Sequence, residues 1–177
     1  MSATKTVAEV DALASAAHAG QFDKIGVPYI EHVRAVAAGL APFGDDLVMA
    51  GLLHDIVEDT DWTVERLRKE GVPDHVVALV DAVTNERGVP YEEKVARITG
   101  HGRDAVLLKV ADNAHNSHPG RAAQLPEEKR TRLAAKYRAA RDILWPAAES
   151  RDIETIVQIV NSSLLDELRE RQNQEPS

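Results

Sequence analysis

Leu47, Val48, Met49, Leu52, Leu53, Ile56 and Val57 form an apolar run fit for a core helix, yet His54, Asp55, Glu58 and Asp59 sit within and just after it. On one continuous helix, at about 100° per residue, those four polar groups span an arc of roughly 140°. Three carboxylates and an imidazole beside a core cannot be buried unpaired, because each lone charge costs several kcal/mol. A divalent cation removes the conflict: it neutralises carboxylates and accepts a neutral imidazole as ligand. One helix rarely closes a coordination sphere. The chain is therefore expected to fold so that other segments bring ligands to the same place.

Two positions qualify. His32 follows the apolar-rich stretch Pro28, Tyr29, Ile30, and Asp112 follows the apolar run Val106 to Val110. Together with His54 and Asp55 they make a mixed nitrogen and oxygen set, suited to one Mn, Fe, Co or Zn ion rather than to Ca. Glu58 lies one helical turn after His54, where a carboxylate can reach a water at the cation without being a ligand.

Helical periodicity recurs along the chain with short breaks. Val7, Val10, Leu13, Ala14 and Ala17 mark a first helix stopped by Gly20, and a second runs from about Ile30 to Leu40. Asp45 and Asp46 suit the start of a third, Thr63 caps a short one, and Gly71 to Pro73 separate it from a helix carrying Val76 to Val83. Pro90 opens a helix with Val95 and Ile98, and the run Ala105 to Val110 is read as a buried helix among helical neighbours. Pro119 and Gly120 signal a turn, and Pro126 suits the first position of a long helix ending near Trp145 and Pro146. One continuous stripe from Ile153 to Leu168 predicts a last helix, with a frayed polar tail at 171–177. The expected architecture is all-α: one helical bundle spanning 1–170, with no internal repeat and no linker.

Composition narrows the function. With no cysteine, disulfides, thiolate metal sites and a cysteine nucleophile are excluded. The first twenty residues lack a basic region followed by an apolar run, and no apolar stretch is long enough to cross a bilayer, so a cytoplasmic protein without membrane contact is expected. A net charge of −8 argues against a nucleic-acid polymer as partner. Charge is uneven, however: between Arg121 and Arg141 seven Lys/Arg face only Glu127 and Glu128. That stretch is either a solvated basic face or a wall that attracts phosphate.

The spaced set His32, His54-Asp55, Asp112 resembles the signature of HD-domain metal-dependent phosphohydrolases. The likeness is closer to the hydrolase domain of RelA/SpoT enzymes and the small alarmone hydrolases. The similar pieces are residues 17–21, 26–32 and 52–60, and Lys109 to Asp112 with Asn116. The resemblance implies an HD-type helical bundle that removes the 3′-pyrophosphate of (p)ppGpp with Mn2+. It implies that His32, His54, Asp55 and Asp112 hold the metal, and that Glu58 and Asp59 organise or deprotonate the attacking water. Lys24, Asn116, Lys129, Arg130 and Lys136 are the candidate substrate contacts.

The chain departs from that pattern where substrate is read. Asp23 stands at a usual Arg, Asn113 at another, and Ser117, His118 and Pro119 replace a usual Met-Arg continuation. Two alternatives therefore stay open: an HD phosphohydrolase for another nucleotide or phosphorylated metabolite, and a non-catalytic metal- or ligand-binding domain. His18 and His115 are read as structural or as supports for ligands, His75 and His101 as surface residues, and Trp62 and Trp145 as core. An oligomer is compatible with all of this.

Overall fold

Thr6 starts the first helix, α1 (Val7–Ala17), through a reciprocal cap: its hydroxyl accepts the Glu9 N–H, and the Glu9 carboxylate accepts the Thr6 N–H at 2.8 Å. The computed structural model describes residues 4–174, and within them every regular element is helical; a single isolated bridge joins Phe22 to Pro28. The chain continues through α2 (Ile30–Leu40), α3 (Asp45–Leu53), α4 (Ile56–Asp59), α5 (Val64–Lys69), α6 (Asp74–Val83), α7 (Tyr91–Thr99) and α8 (Arg103–Asn116). It ends with α9 (Pro119–Ala122), α10 (Glu127–Leu144), α11 (Ser150–Val160) and α12 (Leu165–Gln174). No described helix is long and apolar enough to cross a membrane.

α2, α3 and α8 form the centre. α2 packs on α3, α8 and α11; α3 also meets α1 and α6; α8 also meets α6, α7 and α10. Leu40, Leu53, Ile56, Leu107, Leu108, Leu144, Ile153 and Ile156 are fully buried between them. Burial of each such side chain contributes about 1.5–3 kcal/mol. α2 and α3 approach each other closely at Gly51. A Cβ on Gly51 would stand 2.8 Å from the Ala37 Cα and 2.9 Å from its nitrogen, so only glycine lets the two backbones touch there.

Several expectations are corrected. The helix expected to run on through His54 stops at Leu53 and restarts at Ile56. His54 Nδ1 donates to the Gly51 carbonyl at 2.8 Å, the acceptor that the residue-55 N–H would use in an unbroken helix. The expected last helix is two, because Asn161 leaves helical geometry (φ −160°, ψ 84°). Its side chain accepts the Ser163 N–H and donates to the Ala114 carbonyl at 2.9 Å, tying the break to α8. Pro119 and Gly120 lie in the short helix α9 rather than a bare turn. Pro126 precedes α10 as its cap residue. The polar tail expected from 171 onward is helical to Gln174, and 175–177 lie outside the described residues.

Candidate metal centre and active site

Three elements deliver the candidate ligands. His32 is the third residue of α2, His54 and Asp55 form the turn between α3 and α4, and Asp112 is on α8, four residues before its end. His32, His54 and Asp112 are buried and each offers one ligand atom within 4.8 Å of the others. His32 Nε2 lies 3.2 Å from Asp112 Oδ1 and 3.4 Å from Asp55 Oδ2. His54 Nε2 lies 3.0 Å from Asp55 Oδ2 and 3.5 Å from Asp112 Oδ1.

The tautomers follow from the partners. A carbonyl can only accept, so His54 carries its proton on Nδ1, towards Gly51, and its Nε2 is a buried atom without a hydrogen bond. Arg121 can only donate, and its Nη1 lies 2.9 Å from His115 Nδ1, which is therefore an acceptor. His32 Nδ1, 2.7 Å from that same atom, must then carry a proton. Both ligand imidazoles thus turn an Nε2 lone pair towards the Asp55 and Asp112 carboxylates. Lone pairs facing carboxylates repel unless a positive charge lies between them, so this donor set fits a divalent cation.

The electrostatics agree. Burial acts to lower the His54 pKa, but the charges of Asp55 and Asp112 override it and hold the imidazole well above its usual value. An added proton would occupy Nε2, where a cation would sit. Burial acts to raise Asp112, yet the Lys109 ammonium and the two imidazoles keep it well below the carboxylate range. Asp55 is likewise held down against burial by His54 and His32.

The remaining atoms of the ligands are also engaged. The Tyr29 hydroxyl donates to Asp55 Oδ2 at 2.6 Å, Lys109 Nζ to Asp112 Oδ2 at 2.7 Å, and Asn116 Nδ2 to Asp112 Oδ1 at 2.7 Å. Lys109 was visible in sequence as a charge inside an apolar run, one turn from Asp112. Tyr29 carried no such signal.

Beside the centre opens a cavity of about 450 Å3, lined by Asp55, Glu58, Asp59 and Asp112 and by Lys24, Asn116, Arg121 and Lys136. Glu58 does not project freely: its carboxylate accepts the Asn85 backbone N–H at 2.7 Å and the Asn85 amide at 3.1 Å. Burial raises the Glu58 pKa, with those two hydrogen bonds opposing. Burial and the Asp55 charge raise Asp59. A smaller cavity of about 70 Å3 adjoins the large one and shares Asp23, Lys24, Asn116, Arg121 and Tyr137 with it.

Of the expected substrate contacts, Lys24, Asn116 and Lys136 line the large cavity and Arg130 the smaller. Lys129 lines neither. It lies near enough to Lys24 to help burial and Lys136 depress that ammonium's pKa. Asn116 also donates to the candidate ligand Asp112, a contact its sequence position did not disclose. His115 backs His32, and His18 is buried against Tyr29, with ring centroids 5.1 Å apart. His75 pairs with Asp104 at the surface, and His101 is exposed. Trp145 is buried, while Trp62 is half-buried under the Arg66 guanidinium.

The three departures from the family pattern all have structural partners. Asp23 Oδ1 accepts the N–H groups of Ile25 and Val27, closing the loop before α2. Asn113 faces α10, donating to the Tyr137 carbonyl and accepting from Arg141. His118 caps α9 by accepting the Gly120 N–H.

A probable GTP pyrophosphokinase of Mycobacterium leprae is 42% identical over 141 residues, 74% of this chain and 17% of that protein. A guanosine-3′,5′-bis(diphosphate) 3′-pyrophosphohydrolase of Haemophilus influenzae is 36% identical over 156 residues, 81% of this chain and 22% of that one. The chain thus spans about a fifth of the length of these relatives. A protein of the same pyrophosphohydrolase name from Danio rerio is 38% identical over 103 residues, 53% of this chain and 56% of the other. A solved metazoan orthologue of SpoT, described as hydrolysing ppGpp, superposes with a TM-score of 0.72 at 24% identity, covering 92% of this chain and 98% of its own; that likeness concerns the fold. The HD domain model matches residues 11–175, and the chain belongs to that HD domain family.

Proposed function

We propose that this chain is a metal-dependent pyrophosphohydrolase that removes the 3′-pyrophosphate of (p)ppGpp. The observation that carries the reading is the approach of the His32 and His54 Nε2 atoms to the Asp55 and Asp112 carboxylates, beside a cavity that Glu58 and Asp59 line together with Lys24, Arg121 and Lys136. The names of the Haemophilus and Danio relatives support the substrate. His32, His54, Asp55 and Asp112 would hold the ion, for which Mn2+ is the proposed occupant. When bound, it supplies Lewis acidity, polarising a phosphoryl oxygen and easing the deprotonation of water.

The protein's own groups do the rest. Glu58, fixed by Asn85 and raised in pKa by burial, takes the proton of a water that attacks the phosphorus next to the 3′ oxygen. The P–O3′ bond breaks, pyrophosphate departs, and the 3′ oxygen gains a proton in balance with the one removed. Asp59 orients the water from the same side. Lys24 and Lys136 draw the polyanion into the cavity and offset its charge. The deciding experiment is a pyrophosphate- and phosphate-release screen of the Mn2+-loaded protein with (p)ppGpp, ordinary nucleotides and sugar phosphates. Preferred release of pyrophosphate from (p)ppGpp is expected; preference for another compound would move the assignment to that substrate.

A further inference from the structure

Arg121 stands where the two cavities meet and lines both. Its side chain is only 17% exposed, yet its five N–H donors have a single hydrogen-bond acceptor among the described residues. That acceptor, His115 Nδ1, is shared: it has one lone pair, and the N–H of the ligand His32 approaches it at 2.7 Å, closer than Arg121 at 2.9 Å. The Asp23 carboxylate is 3.7 Å away, a through-space attraction, and its Oδ1 is already committed to backbone N–H groups. A half-satisfied guanidinium aimed into a cavity beside Lys24 is a receptor for an anion. At about 70 Å3 the side cavity offers on the order of five water-sized positions, enough for a phosphoryl group and too small for a nucleoside.

We propose that Arg121 binds the phosphoryl group of the substrate that is not being cut, and that it leaves His115 to do so. Resting on the functional reading above, this specifies a substrate with two separate phosphorylated ends, one at the metal centre and one at Arg121. It also gives the site a built-in coupling. Once Arg121 turns to the anion, His115 Nδ1 serves His32 alone, and a ligand imidazole with a stronger acceptor behind it is a better metal donor.

The test compares wild type, Arg121→Gln and Arg121→Lys on ppGpp and on guanosine 3′-diphosphate, which lacks the 5′ phosphates, and titrates each metal-free protein with Mn2+ by calorimetry. Losing a charged hydrogen bond should raise KM for ppGpp about 10- to 100-fold in Arg121→Gln, with a far smaller rise for the truncated compound and kcat little changed. Arg121→Lys should recover part of the loss. Mn2+ should bind Arg121→Gln at least as tightly as wild type, because a positive charge has left the vicinity of the cation. A merely structural arginine would weaken Mn2+ binding as well, and that result, or equal KM changes on both compounds, overturns the proposal. If wild type cleaves neither compound, the functional reading falls separately. Arg121 is then judged by inorganic pyrophosphate, whose equal affinity for wild type and Arg121→Gln would refute the anion site.

Discussion

Lys109 and Asp112 form an ion pair of 2.7 Å, both buried, one turn apart on α8. The pair leaves Asp112 Oδ1 for the metal centre while Oδ2 is neutralised from behind. Lys109→Met should strand that carboxylate and cost about 3–5 kcal/mol of stability in metal-free protein at neutral pH. Thermal unfolding with and without Mn2+ checks this, and the ion should restore part of the loss. The sign with pH is fixed. Asp112 is held well below the usual carboxylate range, so its pairing contributes above that range and is lost on acidification through the lower, folded value. The deficit of the variant should therefore shrink at acid pH.

The Tyr29 hydroxyl reaches Asp55 at 2.6 Å, while its ring packs edge-on against His32 with centroids 5.4 Å apart. Tyr29→Phe keeps the ring and removes the hydroxyl. Metal affinity should fall about 10- to 100-fold, as for other groups that orient ligands. Calorimetric Mn2+ titration of the folded variant measures it, and unchanged affinity would remove Tyr29 from the machinery.

Glu58→Gln should retain most of its metal and lose about 10²–10⁴-fold in kcat, the usual contribution of a general base. Elemental analysis separates this from loss of a ligand. Asn85→Ala leaves the base in place but removes one of the hydrogen bonds that stabilise its charged form. The carboxylate pKa should rise further, so the acid limb of the kcat profile should move to higher pH.

Asp23→Arg would place a basic residue where the resemblance to alarmone hydrolases expects one. In this chain Asp23 closes the loop by accepting two backbone N–H groups, and arginine can accept none. The substitution should lower kcat/KM for (p)ppGpp and speed proteolysis between Phe22 and Pro28. Improved turnover would show that the loop tolerates the change and that the acid restrains activity.

Much of the centre was legible because its chemistry conflicts with its surroundings: charges inside apolar runs at His54-Asp55 and Asp112 have few physical resolutions. Likewise the bounds of α2 were readable, since Pro28 and an apolar stripe mark them. What sequence could not supply were partners set by tertiary packing. Asn85 meets Glu58 across 27 positions, and Asn161 breaks a continuous apolar stripe because Ala114, 47 residues away, accepts its amide. Arg121 belonged to a basic segment, but only the fold separates it from Lys129, eight residues on. The interruption at His54 depends on a side chain reaching back to Gly51, a contact that apolar periodicity does not encode.

That same Gly51 ties catalysis to something smaller than any side chain. Because α2 and α3 meet backbone to backbone at Ala37, the gap between α2, which bears His32, and α3, which leads into His54, is a fixed mechanical spacing with no flexible spacer to adjust. The core elsewhere can exchange one aliphatic group for another and repack. Here a single added methyl has nowhere to go, and Gly51→Ala would act as a wedge: levering the helices apart would spread the imidazoles and loosen the ion from a residue whose own contribution to the centre is a backbone carbonyl behind His54.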